Sequence, residues 1–271
     1  MVTKTEALYK ALLPMRIVSF DNIVEKASDI IEADQSRRYI YRKYVDRLIK
    51  MGKLQPIRKE LYAVLSPFET PEKHEVDKLL IASKIRQKYY LGFHTALEYY
   101  GCASSLLNEA YICVQAKDRF DPFQYKRLNF KPVFVTDITS EIVEKPYHQT
   151  ILKVSSKERT FIECIDRIRY AGGWEESIKS LEGLGGLSFE KLLHLTLKQG
   201  RESLNRRVGY VLELLKNRSP FYEHLNEKLL NKIAEKTNRS PQYLICGKKG
   251  PLNKRWNLYI PEDFEEKLRG I

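Results

Sequence analysis

The feature that most constrains this chain is a change of pattern near residue 66. Before it, apolar residues recur three times at helical spacing and then fall into two short strand-length runs. After it come β-branched runs, followed by a mostly helical remainder. The expected fold class is α+β, with an N-terminal winged helix-turn-helix, then a larger mixed domain holding a small sheet and a C-terminal helical part.

The first 66 residues read helix, helix, helix, hairpin. "TKTEALYKALL" carries Leu8, Ala11 and Leu12 on one side, and the ring of Pro14 cannot continue its hydrogen-bonded ladder. "SFDNIVEKASDII" follows Ser19, a good N-cap, with Asp21 and Glu25 near its positive end. Asp34 or Ser36 is expected to cap a third helix, which Gly52 closes. "KLQPI" and "LYAVL" then read as strands on either side of Arg58-Lys59-Glu60. The assignment is a winged helix-turn-helix over residues 1–66, a linker over 67–78 with two prolines nearby, and a larger domain over 79–271.

In that larger domain "DKLLIASKIRQKYYLGFHTALEYYG" is predicted helical, broken at Gly92 and ended by Gly101. "AYICVQA", "KPVFVTD" and "TILKVSS" are predicted strands. In "SSKE", Ser155 and Glu158 form the pattern of a capping box that opens a helical region. "NKRWNLYI" is read as a last strand returning to the earlier sheet. Successive helices have no fixed period, so no solenoid is assigned.

Charge points to a partner. The net charge is +12 with a pI near 9.3, which favours a polyanion. The excess is local: residues 35–59 carry nine basic side chains and one acidic, whereas residues 1–34 carry four basic and six acidic. At about 100° per residue, Ile40, Tyr44, Leu48 and Met51 share one face of the third helix, with Tyr41 and Val45 at its margin. Arg38, Tyr39, Arg42, Lys43, Asp46 and Lys50 take the opposite arc, Arg37 sits at the first turn, and Arg47 lies near the edge. An ordinary solvated face interleaves both signs; this one is nearly single-signed. In a winged helix the third helix enters the major groove while the wing rests on the backbone. The candidate DNA contacts are therefore Arg37, Arg38, Tyr39, Arg42, Lys43, Arg47 and Lys50 on the helix, with Arg58 and Lys59 on the wing. Tyr39 and Arg42 are the candidate base readers. Exposed strand aromatics, which an RNA-binding sheet would need, are missing from this half.

Little in the sequence suggests chemistry. The five histidines form no HExxH and no zinc-spaced pair with cysteine. His194, among leucines, reads as a core or margin residue, and "GLGGL" at 183–187 as a connection between helices. No nucleotide loop or nucleophile elbow is present, so neither a cofactor nor a metal is expected. The four cysteines lie far apart in apolar surroundings, as reduced cytosolic thiols do. "MVTKTEALYK" has no apolar core and no run approaches roughly 18 apolar residues. The expectation is a cytoplasmic protein with no signal peptide and no membrane partner. One enzyme reading, a Mg²⁺-dependent nuclease, would draw on Asp137 with Glu141 or Glu144 and Lys145.

Several stretches resemble a known family. "LGFHTALEYYG", "SSKERTFIECIDRIRYAGGWEESIKSL", "GRESLNRRVGYVLELL" and "NKRWNLYIP" are similar to characteristic segments of AbiEi-like antitoxins, across residues 1 to about 261. The most specific are Glu158-Arg159-Thr160 through Gly173 and Arg207-Val208-Gly209-Tyr210. Departures are Lys59-Glu60 where such wings often carry Arg-Gly, Glu163 for Asp, and Ile168 for Pro. The resemblance implies a non-enzymatic antitoxin of a type IV toxin–antitoxin system, an abortive-infection device of antiviral defence. Such a protein represses its own operon by binding inverted repeats in double-stranded DNA, with scope for self-association there. Its functional partner is a nucleotidyltransferase-like toxin, which need not form a stable complex with it. The larger domain is credited with neutralisation, where Lys198, Arg201, Arg206 and Arg207 could face nucleic acid, or Arg159 and Arg207 could simply pair with nearby acids. A stand-alone winged-helix regulator is the alternative.

Overall fold

The computed structural model describes residues 3–31, 35–74, 77–237 and 240–269. It is a mixed α+β fold, with three sheets among the described residues, one of six strands and two of three.

The N-terminal part begins with α1 (Lys4–Leu12), whose first turn is capped by the Thr3 hydroxyl accepting from the Glu6 amide. After Pro14 comes a strand that the sequence reading did not anticipate, β1 (Ile17–Ser19). Helix α2 (Phe20–Ile31) starts as expected at Ser19, which exchanges hydrogen bonds with Asn22. A third helix, α3, runs over residues 37–50. Ser36 caps it by accepting from the Tyr39 amide, and the alternative cap Asp34 lies outside the described residues. Strands β2 (Leu54–Arg58) and β3 (Leu61–Val64) follow. Gly52, with φ of 68°, makes the preceding turn. The sheet order is β1-β3-β2, antiparallel throughout.

Helix α3 departs from regular geometry at Tyr41–Val45, where the turn is widened to π-helical bonding and the Asp46 amide reaches the Tyr41 carbonyl. A π turn takes in one extra residue. That brings Val45 into the core beside Ile40, Tyr44 and Leu48, and turns Met51 out to 48% exposure. The expected stripe is corrected at those two positions.

Strand β3 is apolar on both faces. Tyr62 and Val64 join Val18 and Leu54 against α1–α3. Leu61, Ala63 and Leu65, with Ile17 and Ile57, pack instead against the second half of the chain. Residues 67–78 therefore do not separate two independent cores. The linker is itself tied back, since the Arg16 guanidinium forks onto the Glu69 carboxylate at 2.7 and 3.0 Å.

The second half opens with α4 (Lys78–Ser83), β4 (Tyr90–Leu91) and α5 (Phe93–Tyr99). The expected break at Gly92 is there, as the N-cap of α5, but the run before it is a short helix followed by a buried strand and not one continuous helix. Strands β5 (Glu109–Val114), β6 (Phe123–Tyr125), β7 (Leu128–Phe134), β8 (Ile142–Tyr147) and β9 (Thr150–Ser155) complete a sheet ordered β6-β7-β5-β4-β9-β8. Pairs β5–β7 and β4–β9 are parallel and the rest antiparallel. Alternation divides its faces: Ala110, Ile112 and Val114 meet α4 and the N-terminal sheet, while Tyr111 and Cys113 turn the other way.

Helices α6 (Lys157–Asp166), α7 (Gly173–Glu182), α8 (Phe189–Lys198), α9 (Glu202–Lys216) and α10 (Glu227–Ala234) form a separate apolar core. The cap of α6 is Ser156, which accepts from the Arg159 amide, one residue later than the expected Ser155. "NKRWNLYI" does not return to the large sheet. It runs from the end of β11 (Leu252–Asn253) through β12 (Leu258–Tyr259), and these with β10 (Gln242–Tyr243) make a small sheet of their own. Helix α11 (Phe264–Arg269) closes the described chain. Trp256 is fully buried, and its indole N–H donates to Glu213 at 2.6 Å. No helix among the described residues is long and apolar enough to cross a membrane.

Candidate nucleic-acid interface

The outward arc of α3 exists because its inner arc is needed for the core. With Ile40, Tyr44, Val45 and Leu48 buried, Arg38, Arg42, Lys43, Arg47 and Lys50 are left exposed. Arg38, Arg42 and Arg47 make no ion pair among the described residues. Their guanidinium donors face outward without a protein acceptor, as recognition of phosphates or base edges requires.

The other candidates are differently employed. Arg37 donates to Asp21 at 2.6 Å, lies 3.6 Å from Glu60, and stacks 4.7 Å from the Phe20 ring. The bond to Asp21 raises its pKa further. It braces α3 against α2 and the β2–β3 turn. Lys43 donates to the Tyr39 hydroxyl and sits over that ring, which raises the lysine pKa and couples the two side chains into one unit. Lys50 pairs with Asp46 one turn earlier, at 2.6 Å.

The pair expected on a wing is split. Lys59 is exposed at the β2–β3 turn, where Glu60 takes a φ of 61°. Arg58, expected at the tip, is half-buried at the end of β2, with its guanidinium 4.8 Å from the Phe123 ring. Burial, and then the nearby Arg86, lower its pKa. The cause is again the second half of the chain, which covers the face of the sheet that carries Arg58.

A groove of about 590 Å³ runs between α3 and the β2–β3 turn, lined by Arg38, Tyr41, Arg42, Pro56, Lys59 and Tyr62 among others. Tyr41, 42% exposed, belongs to this groove and not to the core margin. The π turn that places it there has no sequence signature.

The second half keeps its arginines mostly for itself. Arg206 is completely buried, held by Glu202 at 2.5 Å and by the carbonyls of Ser240 and Asn257. Its exposure to nucleic acid, one of the two expectations for this region, is corrected. Arg201 pairs with Asp166 at 2.7 Å, Arg207 is half-buried with its pKa lowered by burial, and Lys198 is exposed. His194 is exposed, not a core residue. Arg159 crosses to Glu163 at 2.7 Å and to Tyr90 at 2.6 Å, anchoring α6 to the sheet. The Glu163 carboxyl is raised by burial against the pull of Arg159.

The acids of the nuclease reading serve other partners. Burial tends to raise the Asp137 pKa, but hydrogen bonds from Ser140 and Thr139 hold it well below the carboxylate range. Glu141 faces Lys191 at 2.5 Å, and Glu144 stands on β8 at 4.0 Å from Lys153. Among the described residues, no group of three or more His, Cys, Asp or Glu side chains is placed to hold a metal ion.

No family model matches the chain, and no curated protein matches it. Among solved structures it is similar to the crystal structure of the RV2827C protein from Mycobacterium tuberculosis. The TM-score is 0.68 at 15% identity, over 99% of this chain and 95% of that one. At that identity the likeness concerns the fold, which the two share along nearly their whole length.

Proposed function

We propose that this protein is a DNA-binding transcriptional autorepressor, and that it serves as the antitoxin of a type IV toxin–antitoxin pair. The observation that carries the DNA-binding part is the exposed arc of α3, where Arg38, Arg42 and Arg47 stand without acidic partners. The order α1-β1-α2-α3-β2-β3 with a β1-β3-β2 sheet is read as a winged helix-turn-helix. In that reading α3 is the recognition helix and the turn at Lys59 touches the backbone. Arg38 and Arg42, one turn apart, enter the groove; Lys43 and Arg47 flank it; Arg37, Arg58 and the Tyr39–Lys43 unit set the pose.

The antitoxin part rests on the resemblance of residues 158–173 and 207–210 to AbiEi-like proteins. Those residues do structural work here. Thr160 ties α6 to the Ser155 and Ser156 carbonyls, and Gly209 lets α9 lie directly against Trp256. Neutralisation is assigned to the surface that this scaffold presents. The test has two readouts: protection of DNA upstream of the protein's own gene, and growth rescue on co-expression with the downstream gene product. Protection with rescue supports the proposal. Protection without rescue makes the protein a stand-alone regulator, and no protection in low salt overturns the DNA-binding reading itself.

A further inference from the structure

Where the N-terminal sheet meets the second half, a cleft of about 650 Å³ is lined by Arg58, Lys59, Lys84 and Arg86. None of the four makes an ion pair among the described residues. Lys84, half-buried directly after α4, donates to the Thr150 hydroxyl at 3.3 Å, and burial lowers its pKa. Arg58 has a buried Nη1 with no hydrogen-bond partner. Arg86 donates one hydrogen bond from each guanidinium nitrogen, to the carbonyls of Asp118, Ile85 and Arg119, and has no acidic partner among the described residues. The acids lining the same cleft, Asp21 and Glu60, are turned toward Arg37. Asp121 acts on Arg58 without forming an ion pair.

Half-buried cations crowded together are costly unless an anion completes them. The cleft shares Phe20, Arg58, Lys59 and Glu60 with the groove beside α3, so the two border the same β2–β3 turn. The β1-β3-β2 sheet packs on one face against the segment that carries Lys84 and on the other against that helix. We propose that this cleft seats a phosphate of the DNA backbone, which makes the second half of the chain part of the DNA interface. The inference rests on the DNA-binding reading above and goes further, because it extends the footprint past the wing to residues that no winged helix supplies.

The experiment uses the full chain and a fluorescein-labelled random-sequence duplex about 30 bp long, titrated across a salt series. Lys84→Gln should weaken binding roughly fivefold to tenfold at low salt and flatten the slope of log K against log salt by about one. Lys84→Arg should restore both, and Lys232→Gln, an exposed lysine on α10, should change neither. If thermal melting shows Lys84→Gln to be misfolded, Gln87→Glu, at an exposed position lining the cleft, takes its place and should likewise weaken binding. A wild-type protein that binds while these variants match Lys232→Gln overturns the cleft assignment and leaves α3 standing. Loss of thermal stabilisation by inorganic phosphate with unchanged duplex affinity assigns the cleft to a free anion and overturns it too. A wild-type protein that binds no duplex removes the DNA-binding reading and this inference together.

Discussion

Cutting the chain after residue 78 should unfold its N-terminal part. On the face of the β1-β3-β2 sheet that meets the second half lie Ile17, Ile57, Leu61 and Leu65, at 2%, 7%, 3% and 0% exposure. Burying such a side chain contributes about 1.5–3 kcal/mol, so uncovering these four forfeits about 6–12 kcal/mol. A domain of that length has a total stability of about 4–12 kcal/mol, at roughly 0.05–0.15 kcal/mol per residue. The cut also removes the Tyr125 hydroxyl from Gln55, 2.7 Å away, and the Phe123 ring from Arg58. Urea titration followed by far-UV circular dichroism is the assay. The fragment should show a broad, non-cooperative loss of helix and bind DNA far more weakly than the full chain. A sharp transition in the fragment, with DNA affinity close to full length, would refute the shared-core argument.

Three further substitutions probe the scaffold. A Cβ on Gly209 would stand 2.0 Å from the Trp256 ring, so Gly209→Ala should cost about 1–3 kcal/mol by overpacking, read as a lower urea midpoint. Arg206→Met should cost about 3–5 kcal/mol, since it removes a fully buried cation together with its bonds to Glu202 and two carbonyls; a midpoint equal to wild type would contradict the buried pairing. Burial pushes the Glu69 carboxyl up, but Arg16, the Ser66 amide and His74 bring it down to about 2. A depressed folded pKa contributes stability above the unfolded carboxylate value, which is lost as pH falls from about 4.5 toward 2. Thermal melts of wild type and Glu69→Gln should therefore differ at pH 7 and converge in acid, and a constant gap would refute the assignment.

Local chemistry was the legible part of this fold. Ser36 and Gly52 delimit α3 as their side-chain oxygen and free φ dictate, and the β-branched runs at 109–114, 128–134 and 150–155 became strands. What failed depended on tertiary contact. "LYAVL" reads as one strand beside the Arg58-Lys59-Glu60 tip, yet five consecutive apolar residues already signal a strand covered on both faces. All five, Leu61 to Leu65, are buried. That missed covering also accounts for Arg58, drawn off the tip, and for the strand β4 hidden in a helical-looking run. Arg206 differed in no way from a surface arginine at an i, i+4 spacing from Glu202, because nothing in one sequence says which face of α9 the last sheet would cover. The π turn is invisible in the same sense: it corrects the phase of α3 by one residue, and only the packing of Val45 demands it.

The central claim is that α3 binds DNA through the arc opposite its core face. Its most direct test is the double substitution Arg38→Ala and Arg42→Ala, measured by fluorescence anisotropy on the DNA fragment upstream of the protein's own gene. Both side chains are exposed and unpaired among the described residues, and alanine favours the helix, so melting temperature and helicity should be unchanged. Specific affinity should fall by roughly 2–6 kcal/mol, from about 1–3 kcal/mol for each good base contact. A folded double variant that binds the fragment as tightly as wild type would contradict the account.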